Sequence, residues 1–328
     1  MKNLIDIFVE LGSKIEQGVP REVAERAYDA NKWFSVSDIE FAARTICEMM
    51  LKRERLTEWF EGYQEQYFTK TERVLIIMAG NIPFVAFFDL LCIVIAGDEA
   101  IVKLSHKDRI LMEWIIEELR LIEPSIPILI YKKGEIVDRV IATGSDAAIQ
   151  HFAEIYHNTP TLLRGSRHSI AIIGEDGVCD GLVEDIYRYS GLGCRNVSMI
   201  FIPKGYDLRQ LPIPEPEDLN PKYRNNYLQN RALITISRAE FFDNGASCLI
   251  YQDEFPARPS TISIVEYSTL EELTQWIATH DNQLQCIVAN DTTLNHPRRV
   301  NFGEAQRPSL YDYADGVDTM KFLIQQDI

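Results

Sequence analysis

Basic residues are scarce: 33 Lys and Arg face 49 Asp and Glu over 328 positions, a formal net charge of −16. That sign argues against non-specific nucleic-acid binding, which needs a cationic surface. Cysteine is sparse and scattered, at 47, 92, 179, 194, 248 and 286 with no CxxC pair, which excludes a zinc site or a small disulfide scaffold. The six histidines show no metal-ligand spacing. GxGxxG, GxxxxGK, HExxH and GxSxG signatures are absent, so any nucleotide must be bound in another way. No internal repeat or low-complexity tract occurs. The start, Met1-Lys2-Asn3-Leu4-Ile5-Asp6-Ile7, breaks its short apolar stretch with a charge and shows no small-residue cleavage site. No signal peptide is expected there, and a reducing cytoplasm is the expected compartment.

What is present describes an ordinary globular chain, 46% hydrophobic and 25% charged. Its length suffices to bury roughly three quarters of the unfolded surface and to form about two domains. One long apolar run, Val74 to Gly97, approaches the roughly 20 residues a bilayer requires. Asn81-Ile82-Pro83 interrupts it, Asp89 would lie in lipid, and no positive cluster flanks it, so a strand, loop and helix inside a core are expected instead of a membrane span.

The first 70 residues are helical in pattern. Leu4, Ile5, Phe8, Leu11 and Ile15 recur at helical spacing, Ser37-x-x-Glu40 reads as a capping box, and Trp33, Phe34, Trp59 and Phe60 read as core. From Arg73 onward β-rich runs (VLIIM, AIVKL, IPILIY, VIATG) alternate with amphipathic segments at Phe84 to Ile95 and Arg109 to Ile122, which predicts a parallel sheet covered by helices. Ligands on such sheets bind beyond the carboxyl ends of the strands, here Gly80 to Pro83, Ser105 to Lys107 and Gly144 to Asp146. A second α/β block opens with SIAIIG and continues through ALITIS, SCLIY and STISIVEY, a helix from Leu270 to His280, and QCIVA. Leu211 to Arg231, polar and proline-rich, reads as a surface excursion.

The most informative segment is Tyr189 to Ser198, YSGLGCRNVS. Glycines let backbone approach a substrate closely, and Arg195 beside Cys194 would favour the nucleophilic thiolate. A small buried cysteine in a glycine turn is the competing reading, and for the other five cysteines inert packing is expected.

Five ordered segments carry a resemblance over nearly the whole chain: Met78-Ala79-Gly80-Asn81-Ile82-Pro83, Val102-Lys103-Leu104-Ser105, Ala142-Thr143-Gly144-Ser145, Gly191-Leu192-Gly193-Cys194-Arg195-Asn196-Val197-Ser198 and Tyr311-Asp312-Tyr313-Ala314-Asp315-Gly316-Val317-Asp318. With them the chain resembles the LuxC-like acyl-CoA reductases, the fatty acid reductase branch of the aldehyde dehydrogenase superfamily. The resemblance implies an α/β aldehyde dehydrogenase-like fold: a helical region and Rossmann-like cofactor domain over 1–168, a catalytic α/β domain over 169–299, and a tail, 300–328, packing back on the cofactor domain or a partner subunit. It makes Cys194 the nucleophile and Asn81 the oxyanion donor. Lys103, with Ser105 and Lys107 in the following turn, would meet the cofactor's adenosine ribose or its phosphate, and Gly144 and Ser145 the pyrophosphate. Glu254 would bind the nicotinamide ribose.

Two departures from the superfamily pattern refine these implications. Aldehyde dehydrogenases that make acids carry a water-activating glutamate before a glycine pair, but the comparable stretch here, Thr161 to Arg167, holds no acid. A thioester would survive there, which favours CoA chemistry. His106 and Lys107 stand where NAD-preferring members often place an acid, which favours NADPH, with NADH possible. Arg164 and Arg167 are further candidates for phosphate contact.

The implied reaction is reduction of a fatty acyl-CoA, or an acyl carrier protein thioester, to the aldehyde. An acyl-protein synthetase is a conceivable partner and a homo-oligomer the expected assembly. A cysteine acyltransferase or thioesterase without nicotinamide chemistry, and a silent acyl- or protein-binding subunit, are the alternatives. The family-specific segment NFGEAQRPSLYDYADGVDT receives no chemical step, and packing or subunit contact is its expected role.

Overall fold

The computed structural model describes residues 3–63, 71–175, 177–290 and 294–324. Helix α1 (Leu4–Ile15) starts where the Asn3 side chain accepts the Ile5 amide, and it buries Ile7, Phe8, Leu11 and Ile15 along one face. α2 (Arg21–Ala30), α3 (Val36–Met49) and α4 (Arg53–Glu61) follow. The cap of α3 is Ser35 and not the expected Ser37: its Oγ accepts the Asp38 amide at 3.0 Å, because the extended backbone at Ser35 lets a hydroxyl reach that donor. Phe34 and Trp59 are buried, whereas Trp33 and Phe60 are only half-buried.

The long apolar run divides into β1 (Arg73–Ile77), a loop and α5 (Phe87–Ile95). Among the described residues no helix is long and apolar enough to cross a membrane. β2 (Glu99–Lys103), α6 (Arg109–Ile122), β3 (Ile128–Ile130), β4 (Arg139–Thr143), α7 (Asp146–Ile155) and β5 (Thr161–Arg164) complete the pattern. The sheet is parallel in the order β3-β2-β1-β4-β5. Burial on both faces explains why β1 and β2 read as unbroken apolar runs. The chain runs outward from β1 to β3 and returns to the other side for β4 and β5, so the loops after β1 and β4 diverge from a crevice of the kind that receives ligands.

The second sheet is built from β6 (His168–Ile172), β7 (Val197–Pro203), β8 (Phe242–Asp243), β9 (Cys248–Tyr251), β10 (Thr261–Tyr267), β11 (Leu284–Val288) and β12 (Arg299–Val300), with helices α8 (Leu182–Tyr187), α9 (Pro221–Ser237) and α10 (Leu270–His280). Its order is β12-β11-β6-β7-β10-β9-β8, parallel except for β8 against β9. Ile170, Met199 and Phe201 pack with Leu273 and Ile277 of α10 in its core. ALITIS, expected as a strand, is the last part of α9. Asn220 caps that helix, Pro221 sits in its first turn, and Tyr223, Tyr227 and Asn230 keep a buried stripe at helical spacing, which overrides the β preference of the run that follows.

Contacts divide the chain into two units, Met1–Ser166 with Pro308–Ile328, and Arg167–Arg307. The sequence puts the last boundary at 299; the contacts put it at 307, because the Asp185 carboxylate accepts the Gly303 and Ala305 amides at 2.7 and 3.0 Å. The following segment belongs to the first unit. There α11 (Thr319–Ile324) presents the Phe322 carbonyl to Arg139 at 3.0 Å, and Tyr313 Oη accepts from Trp59 Nε1 at 2.9 Å.

Asp98, 3% exposed, accepts the Glu72 amide at 2.9 Å. Burial raises its carboxyl from 3.8 to about 6, with that hydrogen bond opposing. A raised carboxyl favours the fold while protonated; the contribution is full below pH 3.8 and is lost as pH rises through about 6. Asp98→Asn, which keeps an acceptor for Glu72, is therefore expected to exceed the native chain by about 1–2 kcal/mol at pH 8 and to lose most of that advantage near pH 4.5 in urea unfolding. An advantage independent of pH would contradict the shift.

Candidate active site

Because β1, β2 and β4 run parallel, their carboxyl ends share one edge of the first unit's sheet, and the loops there carry Asn81, Lys103, Ser105, Lys107, Gly144 and Ser145. Asn81 is half-buried in the loop after β1. Lys103 ends β2 exposed, its Nζ 5.5 Å from the Phe152 ring centroid and 6.0 Å from that of Tyr131. Both rings pack against the sheet residues Leu75, Ile77, Ile101, Val140 and Ala142, giving the ammonium an aromatic seat. In the next turn Ser105 Oγ accepts the Lys107 amide at 3.3 Å, and the exposed Lys107 offers its carbonyl to Asn31 Nδ2 at 3.3 Å. Ser145 caps α7, its Oγ accepting the Ala148 amide at 3.4 Å, beside Gly144. Asp146 at that helix start is turned onto the Ser166 amide, 2.7 Å from its Oδ1.

The second unit presents Cys194 just before β7, at the amino edge of its sheet. It is exposed, and the other five cysteines are buried. Burial pushes the Cys47 and Cys248 thiols up to about 12 and about 11 and raises that of Cys92 well above its ordinary value, so they stay protonated packing groups.

The backbone leading to Cys194 is strained. Tyr189 and Ser190 lie at φ +56° and Gly191 at +66°, a left-handed turn that costs each non-glycine residue about 1–2 kcal/mol. Asn196, 4% exposed, holds the turn closed. Its Oδ1 accepts the Gly193 amide at 2.8 Å, and its Nδ2 donates to the carbonyls of Asp185, Ile186 and Arg188 at 3.2, 3.1 and 2.8 Å. Ser169 Oγ donates to the Cys194 carbonyl at 2.8 Å. Arg195 aims its guanidinium into the unit, Nε onto the Ala305 carbonyl and Nη2 toward Cys286 Sγ at 3.6 Å. The first half of the unexplained family segment, Asn301 to Gln306, is thus a brace behind the cysteine turn. Neither Asn196 nor Asp185 has a role legible in the sequence beyond one signal, an Asn two residues after the cysteine in a glycine turn.

Glu254 is exposed in the connection from β9 to β10, its carbonyl accepting from Ser263 Oγ at 2.6 Å. The neighbouring Phe255 stacks on His168, centroids 4.2 Å apart, at the amino end of β6. Arg164 differs from its expected role. It is 3% exposed, Nη1 reaches both Asp89 oxygens at 2.6 and 2.7 Å, and Nη2 donates to Thr319 Oγ1 at 2.7 Å. A buried guanidinium neutralised by Asp89 is not a phosphate ligand.

These two units define an aldehyde dehydrogenase fold. Similar solved structures include succinic semialdehyde dehydrogenase from Streptococcus pyogenes in complex with NADP+ (TM-score 0.64, 13% identity, 89% of this chain and 78% of that one) and PnpE from Pseudomonas sp. WBC-3 (0.63, 13%, 88% and 73%). A Mycobacterium tuberculosis aldehyde dehydrogenase complexed with NAD+ aligns at TM-score 0.58 and 15% identity over 88% and 73%. No curated protein matches the sequence. The acyl-CoA reductase (LuxC) family model matches residues 43–210, more than half of the chain, and the chain belongs to that family. It is an oxidoreductase of the acylating aldehyde dehydrogenase type.

Proposed function

We propose that this protein reduces a long-chain fatty acyl-CoA to the aldehyde with NADPH, through an acyl thioester on Cys194. The observation that carries the reading is the cysteine turn: the exposed thiol of six, on a strained backbone locked by Asn196, in a member of the acyl-CoA reductase family. The Cys194 thiolate attacks the thioester carbonyl, a new C–S bond forms, and the bond to CoA breaks as its sulfur leaves and takes up a proton. The Asn81 side-chain amide donates to the carbonyl oxygen as negative charge develops there. The stretch Thr161 to Arg167, where acid-forming relatives would carry a water-activating glutamate, holds no acid, so the acyl-cysteine would be spared hydrolysis.

The residues on the first unit's carboxyl edge suit a phosphorylated dinucleotide. Lys103 and Lys107 offer exposed ammonium groups, Ser105 a hydroxyl, and Gly144 and Ser145 the amino end of a ten-residue helix. Glu254, exposed in the second unit, is the residue that would hold the nicotinamide ribose. A nicotinamide cofactor so held would supply a hydride to the acyl carbon of the acyl-cysteine, leaving a thiohemiacetal anion whose C–S bond then breaks. Cys194 then departs as thiolate and the aldehyde is released. Lys107 serves the 2′-phosphate: Lys107→Glu is expected to raise the KM for NADPH about tenfold and leave that for NADH within about twofold. Equal effects on both cofactors would refute that assignment. The reading as a whole is tested by following NADPH oxidation over a panel of acyl-CoA chain lengths with the aldehyde trapped. No turnover with either cofactor in the folded protein would sink it.

A further inference from the structure

Asp108 stands at the N-cap position of α6, yet its side chain makes no cap hydrogen bond. An aspartate there ordinarily accepts an amide of the first turn. This one, 2% exposed, sends Oδ2 back to the Phe84 amide at 2.9 Å, and its Oδ1 is buried with no hydrogen-bond partner among the described residues. Burial holds the carboxyl well above the usual range, the Phe84 bond opposing. Leaving a carboxyl oxygen unsatisfied costs stability, so the arrangement calls for a reason.

The reason lies at the other end of that bond. Phe84 is a buried non-glycine residue at φ +57°, a conformation that persists only where its surroundings impose it. Four residues earlier, Gly80 is pressed on the same turn: a Cβ there would lie 2.4 Å from Ser105 Oγ and 3.1 Å from the Asp108 nitrogen. The loop is therefore pinned to the 105–108 turn at both ends, and Asn81 lies between the pins. We infer that Asp108 is a positioning residue that fixes the Asn81 amide at the reacting carbonyl, through the Phe84 amide. The inference rests on the oxyanion role of Asn81 proposed above.

Asp108→Ser tests it, because serine can cap α6 and preserve folding but is too short to span to Phe84. Acylation is read as CoA release in a single turnover, beside kcat, KM and thermal melting. Asp108→Ser is expected to slow acylation and kcat about tenfold, with KM for acyl-CoA within about twofold. Asp108→Asn, which keeps an acceptor for Phe84, should recover most of the rate. In an Asn81→Ala background, Asp108→Ser should cost less than about twofold more, since the group being positioned is gone. Full additivity of the two substitutions, or Asp108→Asn as slow as Asp108→Ser, would overturn the positioning role. If Asn81→Ala alone leaves acylation unchanged, the oxyanion reading itself fails, an outcome distinct from additivity.

Discussion

Cys194→Ala is expected to lower acyl-CoA-dependent NADPH oxidation by more than about 1,000-fold while leaving thermal unfolding essentially unchanged. Both halves follow from the placement of the side chain. Cys194 is exposed, so its truncation opens no buried cavity, and surface substitutions of this kind usually fall within about 0.5 kcal/mol. The fold instead holds the surrounding backbone, through Asn196, Ser169 and the loop at Asp185. The native protein incubated with acyl-CoA and no cofactor should gain one acyl group, located on the peptide containing Cys194, and the variant none. Acylation of another cysteine, or cofactor oxidation that survives in the variant, would defeat the assignment. Turnover with full acylation but no dependence on a nicotinamide cofactor would turn the reading toward acyl transfer.

The second large effect is on stability. Arg164→Met is expected to destabilise the protein by about 3–5 kcal/mol, the cost of leaving a buried carboxylate unpaired. Asp89 is 6% exposed and has both oxygens on Arg164. The guanidinium is itself costly to bury, and the attraction of Asp89 outweighs this to keep its pKa raised. Substituting both partners, Arg164→Met with Asp89→Leu, should recover much of the loss, because an apolar pair of similar volume carries no desolvation penalty. Urea unfolding of the two single variants and the double variant measures the coupling. Losses that simply add would show that the two side chains do not act as a pair. The same substitution frees Thr319, whose hydroxyl accepts from Arg164, so the 308–324 segment should become more open to proteolysis.

Local sequence determined much of this protein. Strand-helix alternation from Arg73 reflects the periods of helix and buried strand, and α6 and α10 lie where their apolar spacing predicts. The loops that gather Asn81, Lys103, Ser105 and Ser145 were legible for the same reason: parallel strands align their carboxyl ends, so residues just past each strand must share an edge. Cys194 stood out by its glycines. What the sequence could not reveal depends on partners far along the chain. ALITIS has strand composition and became helix because the Asn220 cap had already started α9 and the buried stripe of Tyr223, Tyr227 and Asn230 carries the helical period into it. Arg164 looks like a surface cation until Asp89, 75 residues away, is placed beneath it. The segment at 301–324 has no periodicity to read, and its function emerges only from the bonds its first half makes to Asp185 and its second to Arg164 and Arg139. Asp108 shows the limit most clearly. It stands where the structure starts α6, a place from which an aspartate ordinarily bonds its own neighbours, and the packing of Gly80 and Phe84 on its turn sends the carboxyl to another loop. Short-range patterning selects elements; buried polar groups take whichever long-range partner the assembled fold puts within reach, because leaving them unpaired costs more than a local preference is worth.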